Sequence, residues 1–143
     1  MRAEGSLSVQ ASREVMWSRL SDPRELERAL PAVEEVEVSD EDSFSVLVAP
    51  STALGETPLW VDVQVAERRE GEHVRLVCRG RGGEYDAELA LEISLDGDGD
   101  ADGCEVRWSA EASFNGILSA LGQRVLPAIL ASQVEGVLRA AAS

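Results

Sequence analysis

The sequence of 143 residues has a single histidine, two cysteines and no lysine, and aromatic residues make up 4% of it. Because lysine is missing, the amine that forms a Schiff base with carbonyl substrates is missing too. The two cysteines, Cys78 and Cys104, are too few for a disulfide framework and are not spaced as zinc ligands. We therefore expect no bound metal and no cofactor.

Long apolar runs are also missing from the chain. None approaches the roughly 18 residues that a membrane-spanning helix needs, so we expect no stable membrane anchor. The opening residues, MRAEGSLSVQ, carry one arginine with no apolar stretch behind it, which is not the pattern of a secretory signal. We expect a cytoplasmic protein, and at roughly 150 residues per domain the length predicts a single domain over residues 1–143.

Charge of one sign dominates the composition. The chain has 27 acidic residues against 13 basic ones, all of them arginine, and a net charge of -14 at pH 7. An acidic surface repels phosphate groups, so we expect no nucleic-acid partner. Arg75, Arg79, Arg81 and Arg107 alternate with apolar residues, and we expect them to pair with neighbouring carboxylates on an exposed sheet face.

Alternation of apolar and polar residues predicts seven strands. They fall near residues 3–9, 33–38, 44–48, 57–66, 73–79, 85–95 and 106–112. The glycines at positions 80, 82 and 83 are expected to end the fifth of these runs.

Three helices are predicted from capping residues and from a change of period. Ser12 is a suitable N-cap for a first short helix, and Asp22 caps a second one with Pro23 in its first position. From Ile117 onward, apolar residues recur every three to five positions, which predicts one long helix with a bend at Pro127.

The order of these elements predicts a two-layer α+β fold. Hairpin-length connections favour a curved antiparallel sheet of about seven strands around the long C-terminal helix, with two short helices between the first and second strands. A strongly twisted sheet that wraps a single helix need not close tightly against it. The gap between the two layers is where an apolar cavity would form.

Several segments, in the order in which they occur, resemble one known family. They are Gly5–Val9 with Val15–Trp17, Leu20–Pro23 with Leu26 and Leu30–Pro31, and Gly116–Arg124, which is similar to a G-x-L-A-x-L-G-x-R stretch that opens a last helix. The family is CoxG, which takes its name from a subunit of carbon monoxide dehydrogenase and belongs to the START/SRPBCC superfamily of helix-grip folds. The sequence departs from the family pattern after Pro31, where it has alanine and the family usually has glycine.

The resemblance implies a non-catalytic protein that holds an apolar, quinone-like or lipid-like molecule and is accessory to a molybdenum hydroxylase such as carbon monoxide dehydrogenase. The strand residues predicted to line the cavity are Leu59, Val61, Val63, Leu76, Tyr85, Leu89, Leu91, Trp108 and Ala110. The helix residues predicted to line it are Leu118, Leu121, Val125 and Ile129. The alternative is a filled core, although alanines on the same strand faces leave room beneath the helix.

Two further functions stay open. A cyclase or hydrolase of the kind found elsewhere in the superfamily needs a polar catalytic group inside the cavity, such as Tyr85 or an acid. Strand alternation places no acid there, and we predict no catalytic residue. A surface-acting assembly factor would instead contact its partner through the helices and would show an exposed apolar patch.

Two polar features are interpreted as structural rather than functional. His73 lies beside a turn with no orienting partner, which is typical of an exposed histidine rather than a general base. The loop 96–103 resembles the start of a calcium-binding loop, with aspartates at the first, third and fifth positions counted from Asp98. The twelfth position is Ser109 instead of glutamate, so we expect a solvated hairpin loop.

Overall fold

The computed structural model describes residues 2–29, 33–48, 59–82, 85–97, 102–116 and 126–142. Within these ranges the predicted order of strands and helices is confirmed. The strands are β1 (Arg2–Val9), β2 (Val33–Val38), β3 (Ser43–Val48), β4 (Leu59–Arg69), β5 (His73–Gly82), β6 (Tyr85–Asp96) and β7 (Cys104–Gly116). The helices are α1 (Arg13–Ser21), α2 (Pro23–Ala29) and α3 (Leu126–Ala142).

The strands form one sheet in the spatial order β1-β7-β6-β5-β4-β3-β2. All neighbours are antiparallel, and each strand from β2 to β6 pairs with the next one along the chain. The first strand pairs with the last, so β1 and β2 are the two edges of the sheet as described. The predicted α+β class, with a seven-stranded antiparallel sheet and a C-terminal helix, is confirmed.

Both short helices begin at the residues that the sequence predicts. The Ser12 hydroxyl accepts a hydrogen bond from the amide of Val15 at 3.2 Å. The Asp22 carboxylate accepts one from the amide of Arg24 at 3.0 Å, and Pro23 takes the first helical position. These caps satisfy amides that have no partner inside the helix, which fixes where each helix starts.

Gly80 does not interrupt β5, so the prediction that the run ends there was wrong. β5 continues to Gly82, and within it Gly80 pairs with Val61 on β4 and with Ala87 on β6. A glycine lacks a side chain but keeps its backbone donor and acceptor. Because β5 has a neighbouring strand on each side, the ladder of hydrogen bonds continues through these residues.

One face of the sheet packs against the helices and forms the core. Val74 and Ile93 on this face are 0% and 1% exposed, and Met16 and Leu20 of α1 are both 0% exposed. Burial of large apolar side chains supplies most of the free energy that favours folding. The helix α3 contributes three further buried residues, which are Val134, Leu138 and Ala141.

The described backbone of α3 lies closer to β1, α1 and α2 than to the central strands of the sheet. Arg19 of α1 donates a hydrogen bond from Nη1 to the carbonyl oxygen of Ala141 at 2.6 Å, which satisfies an acceptor in the last turn of α3. The predicted start of this helix, at Ile117, lies outside the described residues, as does the rest of 117–125. None of the helices described is both long enough and apolar enough to cross a bilayer.

Arg68 on β4 joins three parts of the fold. Its Nε and Nη2 donate to the carbonyl oxygen of Ser21, at the end of α1, at 3.2 and 2.9 Å. Its Nη1 pairs with Asp42 in the turn between β2 and β3 at 2.6 Å. One guanidinium therefore holds α1 and this turn against the sheet.

We expect Arg68→Met to lower the free energy of unfolding by about 1–3 kcal/mol, because the Ser21 carbonyl loses its charged donor. The matched control is Arg69→Met. Within the described part of the chain, the Arg69 side chain has one ion pair, a 3.6 Å contact with Glu67 on its own strand, so we expect a change below about 0.5 kcal/mol. Urea denaturation measures both, and equal losses in the two variants would contradict the role given to Arg68.

Candidate functional site

The inner face of the sheet, meaning the face turned toward the three helices, carries the strand residues that the sequence assigns to a cavity. Strand register places them in rows that cross the sheet. The Cys78 row consists of Phe44, Val63, Cys78, Leu89 and Ala112. From β3 to β7, the neighbouring Gly80 row consists of Val46, Val61, Gly80, Ala87 and Phe114, of which Phe114 has its side chain outside the described part.

Coverage of the inner face changes along the strands. At the end next to α1, Val74 and Ile93 are fully buried. In the Cys78 and Gly80 rows, by contrast, Val61, Cys78 and Leu89 are only half-buried. The helices therefore cover one end of the inner face more completely than the other.

Cys78 combines two properties that seldom occur together. Burial among protein atoms raises the pKa of its thiol to about 12, yet the residue keeps part of its surface accessible. The thiol is neutral at pH 7 and acts as a small apolar group. The other free thiol differs: Cys104 is 6% exposed, and burial raises its pKa while the charge of Arg13 opposes the rise.

Trp108 lies on the inner face of β7, directly opposite Gly5 of β1. A Cβ atom added at Gly5 would lie 3.0 Å from Cζ2 of the indole, so the ring passes close over the glycine backbone. Trp108 is 3% exposed, and its buried Nε1 has no hydrogen-bond partner among the described residues. The close approach thus depends on the missing side chain at Gly5.

The structure brings the predicted strand residues together on the inner face. The buried ones are Val63, Leu76, Leu91, Trp108 and Ala110, and the half-buried ones are Val61 and Leu89. Three others have their backbone in β4, β6 and α3 but have side chains outside the described part, namely Leu59, Tyr85 and Ile129. The helix positions Leu118, Leu121 and Val125 lie outside the described residues. The cavity lining as a whole stays a prediction.

Six described inner-face residues of the two rows were not assigned to the cavity lining from the sequence, namely Phe44, Val46, Cys78, Gly80, Ala87 and Ala112. Phe44 and Val46 of β3 are 1% and 0% exposed, and Gly80 lies between Val61 and Ala87. Alternation along β3 does place Phe44 and Val46 on one face. Their position beside the predicted lining depends on the pairing of β3 with β4, which the sequence pattern alone does not show.

A large open groove, of about 1180 Å³, lies on the opposite, outer face of the sheet. Arg79 and Glu88 in its wall form an ion pair at 2.5 Å, and Ser45 Oγ donates to Asp62 at 2.6 Å. Exposed pairs of this kind contribute about 0–1 kcal/mol each. The groove follows a charged, solvated surface, and its lining also includes the inner-row residues Val63, Cys78 and Leu89.

The expected pairing of outer-face arginines is found at two of the four positions. Besides Arg79, Arg107 pairs with Asp96 at 3.2 Å. Arg75 has no ion pair with a described residue, and the side chain of Arg81 lies outside the described part.

The remaining polar candidates show no catalytic arrangement among the residues described. His73 Nδ1 lies 3.2 Å from Ser94 Oγ, and the His73 carbonyl accepts a hydrogen bond from Trp17 Nε1 at 3.3 Å. No group of three or more histidine, cysteine or acidic side chains able to hold a metal occurs in the described part of the chain. The predicted calcium-like loop has its residues 98–101 outside that part.

A family model and several solved structures match this chain. The model of the family described as the CoxG subunit of carbon monoxide dehydrogenase matches residues 5–141. The search of curated proteins gives no match.

Several solved structures resemble the chain closely in fold. A conserved protein from Geobacillus kaustophilus has a TM-score of 0.88 at 20% identity, covering 99% of this chain and 92% of that one. Ara h 8.0201 has a TM-score of 0.69 at 11% identity, covering 99% and 94%. A truncated norcoclaurine synthase from Thalictrum flavum has a TM-score of 0.61 at 14% identity, covering 96% and 91%. At these identities the likeness establishes the helix-grip fold.

We expect Gly5→Ala to lower the free energy of unfolding by about 1–3 kcal/mol, because the new methyl group pushes the Trp108 indole out of place. The near-ultraviolet circular dichroism of the tryptophans should change with it. The control is Gly136→Ala in α3, where the added Cβ meets nothing within 4 Å. Removing a glycine from a helix should raise stability by up to about 1 kcal/mol. An unchanged spectrum and stability in Gly5→Ala would contradict this packing.

The Cys78 thiol predicts a loss of stability at alkaline pH. Its pKa is about 12 in the folded chain against 9.0 for an ordinary thiol, so the unfolded chain ionises first. The stabilisation is complete below pH 9.0 and is lost as the pH rises toward 12. We expect the free energy of unfolding to fall by about 1 kcal/mol per pH unit in that interval because of this thiol.

Denaturant unfolding as a function of pH measures this loss. Cys78→Ala should have a shallower slope than the wild type, whereas Cys104→Ala should keep the part of the slope that comes from Cys78. Identical slopes in Cys78→Ala and the wild type would show that this thiol is not shielded from water.

Proposed function

We propose that this chain, which belongs to the CoxG family named after a subunit of carbon monoxide dehydrogenase, binds an uncharged apolar molecule in a hollow between the inner face of the sheet and α3. The molecule would be quinone-like or lipid-like. The observation that carries the proposal is the partial exposure of Val61 and Ala87, which lie on the inner face on either side of Gly80.

The Cys78 thiol fits the wall of such a hollow. A thiol at a solvated surface keeps a pKa near its ordinary value. Burial raises the pKa of Cys78 to about 12, and strand register places its side chain on the inner face, although the residue also lines the outer groove. The thiol therefore adds a small apolar group to the described wall.

The neighbours of Cys78 favour the same interpretation. Val61 and Leu89 are half-buried although they lie on the inner face of central strands. Gly80, Ala87 and Ala112 have small or no side chains, and they lie beside the partly accessible Val61 and Leu89. Small residues next to half-buried large ones leave space that neighbouring side chains do not fill.

The described part of α3 is offset toward β1, which would leave room above these rows. Its described backbone approaches β1, α1 and α2, while the central strands lie farther away. The side chains that point into the space between must fill it or border a ligand. Helices that close over a curved sheet commonly leave binding sites of this kind.

The chemistry of the described wall favours a ligand without charge at this position. The side chains of both rows are apolar, and a thiol such as that of Cys78 is neutral at pH 7. A charged group would lose its hydration here with no partner to replace it. Burial of apolar ligand surface would contribute about 25 cal/mol per Å², partly offset by the cost of association.

A finer proposal concerns the partner. The family description supports an accessory role toward a molybdenum hydroxylase of the carbon monoxide dehydrogenase kind. In that role the chain would hold an apolar molecule and would not itself carry out catalysis.

Two alanines on β6 provide a matched test of the hollow. Ala87 lies on the inner face and Ala90 on the outer face, and both are half-buried. We expect Ala87→Trp to weaken binding of the uncharged fluorescent probe N-phenyl-1-naphthylamine by about tenfold or more, because the indole occupies the hollow. Ala90→Trp should change the affinity less than about twofold, since it enlarges only the outer face.

Thermal unfolding checks that both variants fold. If Ala87→Trp does not, Leu89→Ala serves instead, because it enlarges the hollow and should alter probe affinity. Native mass spectrometry of freshly purified protein looks for a retained small molecule. Absence of probe uptake by the wild type, or equal uptake by the two tryptophan variants, would overturn the proposal.

A further inference from the structure

The edge strand β2 has one side without a strand partner in the described part of the sheet. It pairs with β3 alone, whereas the opposite edge, β1, is approached by α3. Backbone donors and acceptors along a free edge can accept an added strand. The edge of β2 is therefore the place in the described sheet where another extended chain could pair.

The side chains of β2 leave an apolar surface uncovered beside this edge. Val36 and Val38 are 38% and 61% exposed, although they lie opposite the fully buried Val46 and Phe44 of β3. The inner face is thus buried at β3 and exposed to solvent at β2. An added strand would extend the same apolar face and cover both valines.

A groove of about 440 Å³ lies next to Val38, between the start of α2 and the turn that follows β2. Val38 and Phe44 give it an apolar floor, and Pro23 forms part of its wall. The charged residues that line it are Asp22, Arg24, Asp40 and Glu41. The groove can receive an apolar side chain from a segment lying along β2, with acidic groups at its rim.

The charges around the edge decide what kind of segment fits. Glu35, Glu37 and Glu41 are exposed and make no ion pair within the described part of the chain. Asp42 is already paired with Arg68. A second copy of this chain, with its net charge of -14, would bring its own carboxylates against these. A basic segment would meet opposite charge instead.

We propose that β2 is an interaction site for an extended, basic segment of a partner protein, which adds a strand to the sheet. Apolar residues of that segment cover Val36 and Val38, and its arginine or lysine residues lie against Glu35 and Glu37. This interaction goes beyond the proposed ligand binding and does not depend on it. Main-chain hydrogen bonds supply affinity, and the carboxylates select the partner.

The test uses a labelled synthetic peptide of alternating charge and apolar residues, acetyl-Arg-Val-Lys-Val-Lys-Val-Arg-amide, and an analogue with glutamate in place of every basic residue. Fluorescence anisotropy should show binding of the basic peptide that weakens as salt is added, and no binding of the acidic one. Amide hydrogen exchange should slow in β2 when the basic peptide is bound.

Charge reversal at the edge supplies the matched comparison. Glu35→Lys combined with Glu37→Lys should weaken binding of the basic peptide by about tenfold or more. Glu92→Lys combined with Glu105→Lys, at exposed positions on β6 and β7, makes the same change in net charge and should weaken it less than about threefold.

Three outcomes would overturn the proposal. The wild type fails to bind the basic peptide, or the two double variants weaken binding equally, which would assign the effect to overall charge. The third is that sedimentation shows a dimer with β2 amides protected in the absence of peptide, which would assign the edge to a second copy of the chain.

Discussion

An apolar sheet face must be covered, and seven strands present more of it than one helix can cover. At about 4.8 Å between neighbouring strands, the sheet is about 29 Å wide, while a helix with its side chains is about 10–12 Å across. Curvature and the two short helices reduce this difference. The stable part of the fold lies where the helices cover the apolar face completely. The candidate hollow and the open edge lie where this cover is incomplete.

Stability and binding therefore belong to different ends of the same strands. Under α1, the inner face is filled by large side chains such as Ile93, Met16 and Leu20, which are at most 1% exposed. In the Cys78 and Gly80 rows, Phe44, Val46 and Val63 are buried as well, whereas Val61, Cys78, Ala87 and Leu89 are only half-buried. An unfilled hollow costs about 24 cal/mol per Å³ of its volume, so a fold can carry one only where the rest of its core is well packed.

The sequence predicted the elements well because the sheet has one apolar face, and alternation reports that directly. The capping residues Ser12 and Asp22 likewise identified the helix starts. The end of β5 was wrong because glycine propensity says nothing about strand partners on both sides of Gly80. For the site, alternation identified the face of Val61 and Leu89, but their partial exposure depends on which helix lies above them, and that is a property of the tertiary structure.

The acidic composition also shapes the two sheet edges. β1 is protected by packing, since α3 approaches it, whereas β2 carries exposed glutamates beside exposed valines. Like charges discourage two copies from pairing edge to edge, which is how natural sheets avoid aggregation. The same carboxylates impose no such barrier on a basic chain. Electrostatic repulsion depends on the charge of the approaching chain, whereas backbone pairing does not. The edge glutamates that prevent self-association can therefore leave β2 available to a basic partner.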